Sequence, residues 1–331
     1  MNYGMPYKGS KNKIAKKIID VLPEAECFVD LFGGGGAMSH CAAMSGKYQK
    51  IIYNEIDPVI AKGFQMAING KFKGENRWIS REEIHLLKES DPYAAMCFSF
   101  GNDLKSYCYS TEIEPWKKAV HYARAFDDYS KLAEFGITSD GSREDIKKNH
   151  KECKEKYIKW YLQNILNSQK TYEELKESLE SLQRLERLQH LERLQRLESL
   201  ESLERLQRLE SLERLQRLES LERLQRLESL ESLERLQTCN IEVQNKSYEN
   251  VEIPENSVIY CDIPYRNTNK YKNEFDYDKF YNWCRSLKQT VYISEYQMPD
   301  DFIEIAKFPK ICNFSSTNNR RQTIEKLFKN R

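Results

Sequence analysis

The stretch CFVDLFGGGGAMSHCAAMSG (residues 27–46), followed by KIIYNEID (residues 50–57), decides how this chain folds. Residues 27–32 form an apolar run of strand length, four glycines turn the backbone, small helix-compatible residues follow, and a second apolar run closes the series. Strand, glycine turn, helix and strand in that order build a parallel sheet covered by helices, so an α/β fold is expected. An apolar strand that runs into glycines also lets a cofactor lie against the backbone where a helix starts. The spacing is not the GxGxxG of dinucleotide-binding turns. At the end of the second run stands Glu55, with Asp57 two residues on, where such folds set a carboxylate against ribose hydroxyls. Either acid can fill that role.

Strand and helix signals return over residues 241–331, in SVIYCDIPY, FYNWCRSLKQ, TVYISEY and IEKLF, so the sheet begun near the N-terminus is expected to finish there. The main domain is then discontinuous, 1–96 and 238–331. Residues 97–177, rich in aromatics and lysine, read as an inserted domain of helices and loops. Residues 178–237 repeat leucine at every third position. In an α-helix a three-residue step slips the leucine back by about 60°, so the apolar stripe circles the helix every ~18 residues and forms no coiled-coil seam. Leu, Glu, Arg and Gln favour helix, and Glu–Arg pairs four apart (Glu180 and Arg184, Glu204 and Arg208, Glu222 and Arg226) support one. A long exposed helix or a partly disordered insert is expected, with a spiral stripe able to self-associate. Its near-identity fits expansion of a short repeat better than selection for a site.

With 331 residues, 40% of them hydrophobic, the chain can bury a sizeable core. No apolar run approaches the ~20 residues that span a bilayer, and the N-terminal MNYGMPYKGSKNK lacks the apolar segment secretion requires, so a cytoplasmic, soluble protein is expected. Nine scattered cysteines without a CxxC, and five histidines without an HExxH, indicate neither a disulfide framework nor a metal site. The net charge is +1, and the leucine repeat, with 11 Arg and 13 Glu, contributes little to it. Local basic clusters matter more. REDIKKNHKECKEKYIKW (143–160) and NNRR (318–321) have the composition of surfaces that meet a nucleic-acid backbone, although a solvated helix face explains the first equally well.

A further stretch, IYCDIPYRNT (259–268), carries an acid, an isoleucine, a proline and a tyrosine at the end of an apolar run. A planar aromatic amine that attacks an electrophilic methyl group must first localise its lone pair, and acceptors aimed at its two hydrogens do this. Asp262 offers a carboxylate oxygen and Ile263 its carbonyl, while Pro264 fixes the turn and biases Ile263 to an extended conformation. Tyr265 adds a flat face on which an extruded base can stack. No covalent intermediate is required, so the absence of a Cys or His constellation is no objection.

The order YKGSK (7–11), DLFGGGG (30–36), NEID (54–57) and DIPY (262–265) resembles the Dam-like, class alpha family of DNA adenine N-6 methyltransferases. FSFGNDLKSYCYS with IEPWKKA (98–119), and EKLF (325–328), are also similar to members of it. The resemblance covers most of the chain apart from the leucine repeat. It implies an S-adenosyl-L-methionine-dependent, Rossmann-like methyltransferase sheet with an inserted helical target-recognition domain, here residues 97–177. The implied reaction moves a methyl group to the 6-amino group of a flipped adenine in double-stranded DNA. Carried over by position, Tyr7 and Lys11 contact the cofactor, Asp30, Phe32, Gly33 and Gly35 line its pocket, and Glu55 binds its ribose. Asp262 touches both cofactor and target amine, and Ile263, Pro264 and Tyr265 complete the catalytic motif. Two departures stand out: the family's usual Asp-Pro-Pro-Tyr carries Ile263, which adds an N–H and loses rigidity, and the ribose acid is Glu55 where Asp is commoner. No partner nuclease is indicated, and no membrane. The competing readings are methylation of the cytosine 4-amino group or of RNA, and an inactive DNA-binding homologue.

Overall fold

The computed structural model describes residues 3–100, 106–137, 156–158, 160–161, 164, 229–265, 275–312 and 321–331. The chain divides into two compact units, one made of residues 1–75, 81–106 and 224–331, the other of 76–80 and 107–223.

The first unit holds a seven-stranded sheet in the order β3-β2-β1-β4-β5-β7-β6. Its strands are β1 (Cys27–Asp30), β2 (Lys50–Asn54), β3 (Ile241–Gln244), β4 (Ser257–Cys261), β5 (Val291–Glu295), β6 (Ile303–Cys312) and β7 (Arg321–Lys329). The first five run parallel, and β7 is antiparallel to both of its neighbours. The α/β expectation holds. Central β1 is buried along its whole length, as an apolar run does when helices cover both faces of a parallel sheet. Alternation sends Phe28, Ile51, Val258 and Tyr260 to one face, against α1 (Ala15–Val21) and α2 (Ala37–Ser45). Val29, Ile52, Ile259 and Ile293 face the other way, towards Phe280 and Cys284 of α8 (Tyr277–Ser286).

Helix starts in this unit follow the local sequence. Asp57 and Asp91 each accept two backbone N–H groups at the head of a helix whose first residue is proline, α3 (Pro58–Ile68) and α5 (Pro92–Phe98). Between them lies α4 (Arg81–Leu87). No helix among the described residues is long and apolar enough to cross a membrane.

The leucine repeat enters the first unit at its C-terminal end. Leu230, Leu233 and Leu236 are all fully buried, and a 3-10 helix spans Leu233–Thr238. Turning every three residues, a 3-10 helix stacks every third side chain on one face, so Leu233 and Leu236 share a face, while Leu230 lies in the α-helical residues 229–232 just before it. The unit thus starts its last segment inside the repeat, ahead of the expected boundary at 238. The remainder of the expected long helix lies outside the described residues.

In the second unit the described residues form helices, α6 (Glu114–Phe126) and α7 (Ser130–Ala133), held by aromatics. Trp78 stacks on Tyr109 with ring centroids 5.6 Å apart, and Phe135 packs on Tyr157 and Trp160. Most of the basic cluster 143–160, and NNRR apart from Arg321, lie outside the described residues.

Candidate active site

The strand order reverses at β1: the chain builds outward through β2 to β3 and returns to β4 on β1's other side. Beyond the carboxyl ends of β1 and β4 such a reversal opens a crevice. The glycine turn follows β1 and Asp262–Tyr265 follow β4, so two motifs more than 200 residues apart share that crevice.

The glycine turn is clasped by the N-terminal segment. Met5 N–H donates to the Gly35 carbonyl at 2.6 Å, and Gly4 N–H donates to His40 Nδ1 at 3.1 Å. Tyr7 lies over the turn, close enough that a Cβ on Gly35 would come within 2.7 Å of it. Gly34 and Gly36 adopt left-handed φ values of 49° and 70°, which glycine takes without strain. Tyr53 closes the turn from the sheet side, its hydroxyl donating to the Gly34 carbonyl at 2.7 Å.

Burial, with the positive Arg235 adding to it, lowers the pKa of His40 to about 4. The folded value lies below the ordinary 6.5, so the stability held by neutral His40 is complete above pH 6.5 and drains away as pH falls towards 4. Protonation also removes the lone pair that receives Gly4 N–H. In thermal melts the gap between the native chain and His40→Gln is expected to be widest above pH 6.5 and to close towards pH 4. A gap that does not change with pH would rule this clasp out.

Glu55 stands just past β2, with Oε2 accepting Gly34 N–H at 2.7 Å and Oε1 accepting Asp57 N–H at 2.9 Å. Burial raises its pKa, opposed by these backbone donors. Asp57 is committed elsewhere, as the cap of α3. Next to Glu55, Ile56 is 63% exposed.

Asp30 is the last residue of β1. It is buried, and its Oδ2 accepts Ser39 Oγ–H at 2.7 Å and Ser39 N–H at 3.2 Å, tying β1 to α2. Burial lifts its pKa to about 7 against the pull of those bonds. Phe32 joins an aromatic cluster with Tyr248, Phe275 and Phe280, at centroid distances of 5.5 to 5.7 Å. Gly33 is held by its N–H to the Asn54 carbonyl, 2.8 Å, and a Cβ there would strike the Tyr53 ring.

The segment Asp262–Tyr265 is pinned from several sides. Ile263 is buried in the apolar cluster of α8 and β5, which offsets the rigidity lost with a second proline. The Pro264 carbonyl accepts Tyr277 O–H at 2.8 Å. Lys11 Nζ meets both oxygens of Asp262 at 2.5 and 2.6 Å and donates to Tyr265 Oη at 2.7 Å, with Glu325 Oε1 3.0 Å away. Tyr265 in turn donates to Glu325 Oε1 at 2.7 Å. Lys11 is 2% exposed, Glu325 0% and Asp262 21%. Burial opposes the ammonium charge, but Asp262 and then Glu325 outweigh it and hold the Lys11 pKa above its ordinary value. Burial, then the same two carboxylates, pushes the Tyr265 hydroxyl far up, so it stays a neutral phenol. The Tyr265 ring lies 4.7 Å from that of Tyr296, just past β5.

The structure therefore gathers Tyr7, Gly33, Gly35 and Glu55 around the turn, and Lys11 with Asp262 and Tyr265 beside it. Sequence reasoning missed Tyr277, Tyr296 and the part played by Glu325. EKLF contained Glu325, but an isolated acid in a strand gives no sign of the lysine it meets more than 300 residues away in sequence.

A profile of the D12 class N6 adenine-specific DNA methyltransferase family matches residues 7–182, covering Tyr7, Lys11, the glycine turn and Glu55 and ending before Asp262. No curated protein matches the chain significantly. The match spans more than half of the chain, and the Asp262–Tyr265 segment it leaves out follows β4 at the same end of the sheet as the matched glycine turn: the protein belongs to the D12 class of N6 adenine-specific DNA methyltransferases.

Proposed function

We propose that the crevice at the ends of β1, β2 and β4 is the methyl-transfer site, with the cofactor against the glycine turn and the adenine amine at Asp262. One observation carries the reading: parallel strands place the turn, Glu55 and the catalytic motif at the same end of the sheet, where its order reverses.

The donor set fits S-adenosyl-L-methionine. Both Glu55 oxygens accept one backbone N–H and retain lone pairs for ribose hydroxyls. Exposed Ile56 offers an apolar surface to a purine, and Tyr7 borders the turn. Gly33 and Gly35 keep that turn free of side chains, while Asp30 acts through it, by way of Ser39. When bound, this cofactor supplies an electrophilic methyl group on a sulfonium sulfur. Asp262 accepts one hydrogen of the adenine 6-amino group and the Ile263 carbonyl the other, drawing the lone pair out of the ring. Tyr265, its hydroxyl anchored on Lys11 and Glu325, offers its ring to the flipped base, and Tyr296 extends that aromatic wall.

Residues 97–177, which include helices α6 and α7, serve as the inserted target-recognition domain, and basic and aromatic side chains between 102 and 159 meet the DNA. The leucine repeat between 178 and the docked Leu230 is a tolerated expansion. The test is to incubate the protein with methyl-labelled S-adenosylmethionine and mixed-sequence duplex DNA, digest to nucleosides and identify the labelled one. Label in N6-methyladenine is expected; label in methylcytosine keeps the amine clamp and overturns the substrate, and no label with intact cofactor binding overturns the site.

A further inference from the structure

We propose that Glu325 is the positioning residue that lets Asp262 turn from Lys11 to the adenine amine. This rests on the reading of Asp262 as the amine's acceptor. In the structure both Asp262 oxygens lie on the Lys11 ammonium, at 2.5 and 2.6 Å. To receive an amine hydrogen, one of them must leave a buried cation, and that cation must keep other partners.

Counting donors and acceptors decides whether it can. An ammonium has three N–H groups. Around Lys11 stand four oxygens: the two of Asp262, Tyr265 Oη at 2.7 Å and Glu325 Oε1 at 3.0 Å. One acceptor is in excess. Lys11 can therefore fill its donors with Glu325, Tyr265 and a single Asp262 oxygen, and the other oxygen turns to the substrate. With the Glu325 charge removed, its oxygen becomes a weaker acceptor than either Asp262 oxygen, so the ammonium's three donors go to Tyr265 and to both Asp262 oxygens, which are then held.

Charge works in the same direction. At 2% exposure Lys11 has almost no water to pair with, and with Glu325 neutral its counter-charge among the described residues is Asp262. The pair would tighten, as a buried cation with one anion must. Glu325 suits the task because it cannot drift: it is fully buried on β7, and Oε1 is further fixed by the Tyr265 hydroxyl at 2.7 Å. In this role it acts through Lys11 and Tyr265.

The experiment compares Glu325→Gln, Glu325→Asp, Lys11→Met and the Lys11→Met/Glu325→Gln double variant for kcat, for KM of S-adenosylmethionine and for folding by circular dichroism. Glu325→Gln is expected to lower kcat by roughly tenfold or more, with KM for the cofactor little changed, since the lost step is orientation of the amine acceptor. Glu325→Asp, which keeps the charge, should recover part of the loss. In the Lys11→Met background Glu325→Gln should cost nothing further and can raise the rate, because Asp262 then faces no second buried carboxylate. Equal losses in Gln and Asp variants, a kcat for Glu325→Gln within about twofold of the native chain, or losses that add in the double variant would overturn the proposal. Should the native chain transfer no label to adenine, the site reading fails and Glu325's role falls with it.

Discussion

Replacing Asp262 with alanine is expected to lower methyl transfer to adenine by roughly a hundred- to a thousandfold while the protein stays folded. The loss follows from the chemistry of an amine whose lone pair lies in the ring: its attack needs an acceptor fixed on an amine hydrogen, and Asp262 is the carboxylate at the end of β4 that can supply one. Survival of the fold follows from Lys11. Removing one member of a buried ion pair usually costs several kcal/mol because the other charge is orphaned, but here Glu325 Oε1 remains 3.0 Å from the ammonium and Tyr265 Oη 2.7 Å. Asp262 is also the more open of the two carboxylates, at 21%. Single-turnover transfer from labelled cofactor, run beside thermal melts and a cofactor titration, separates these effects. A rate within about tenfold of the native chain would remove Asp262 from the chemistry; collapse of the fold would mean that Glu325 does not hold Lys11.

Local sequence revealed the centre of this fold and little of its edges. Residues 27–57 could be read because β1 and β2 are buried on both faces, leaving uninterrupted apolar runs, and because the turn needs glycine where φ is positive. Edge strands β3 and β6 carried no such mark. IEVQ is half exposed, and β6 holds Pro309, which an edge position tolerates. The site divides in the same way. Asp262, Tyr265 and Glu55 sit at strand ends, where a motif announces them, whereas Lys11–Glu325 is a pairing across the whole chain that only the sheet order creates. Asp30, the last residue of β1, lies on the face that alternation turns towards α2, where its carboxylate meets Ser39, a pairing the sequence did not announce. At the described end of the leucine repeat, residues 233–238 turn every three residues, which an assumption of 3.6 per turn does not anticipate.

Gly36→Ala should be the most damaging small substitution in the glycine turn, costing at least about 2 kcal/mol of stability and most of the cofactor affinity. Two independent penalties meet at this position. With φ at 70°, a side chain is strained whatever space surrounds it, and the added Cβ would lie 2.1 Å from Phe64 Cε2. Phe64 cannot yield: it is fully buried and stacks on Tyr53 with ring centroids 4.0 Å apart. Tyr53 is held in turn by its hydroxyl on the Gly34 carbonyl, and its ring fills the space beside Gly33. A shift at Phe64 therefore passes into the glycine turn, the proposed seat of the cofactor. Gly46→Ala separates the two penalties. Gly46 has the same left-handed backbone, φ 73°, at the other end of α2, and nothing lies within 4 Å of its missing Cβ. Strain alone predicts about 1 kcal/mol there, with cofactor binding untouched. Melting curves and cofactor titrations of the two variants settle the matter: equal stability losses, or a Gly36→Ala protein that binds cofactor as tightly as the native chain, would mean that Phe64 gives way and that crowding does not keep this turn glycine.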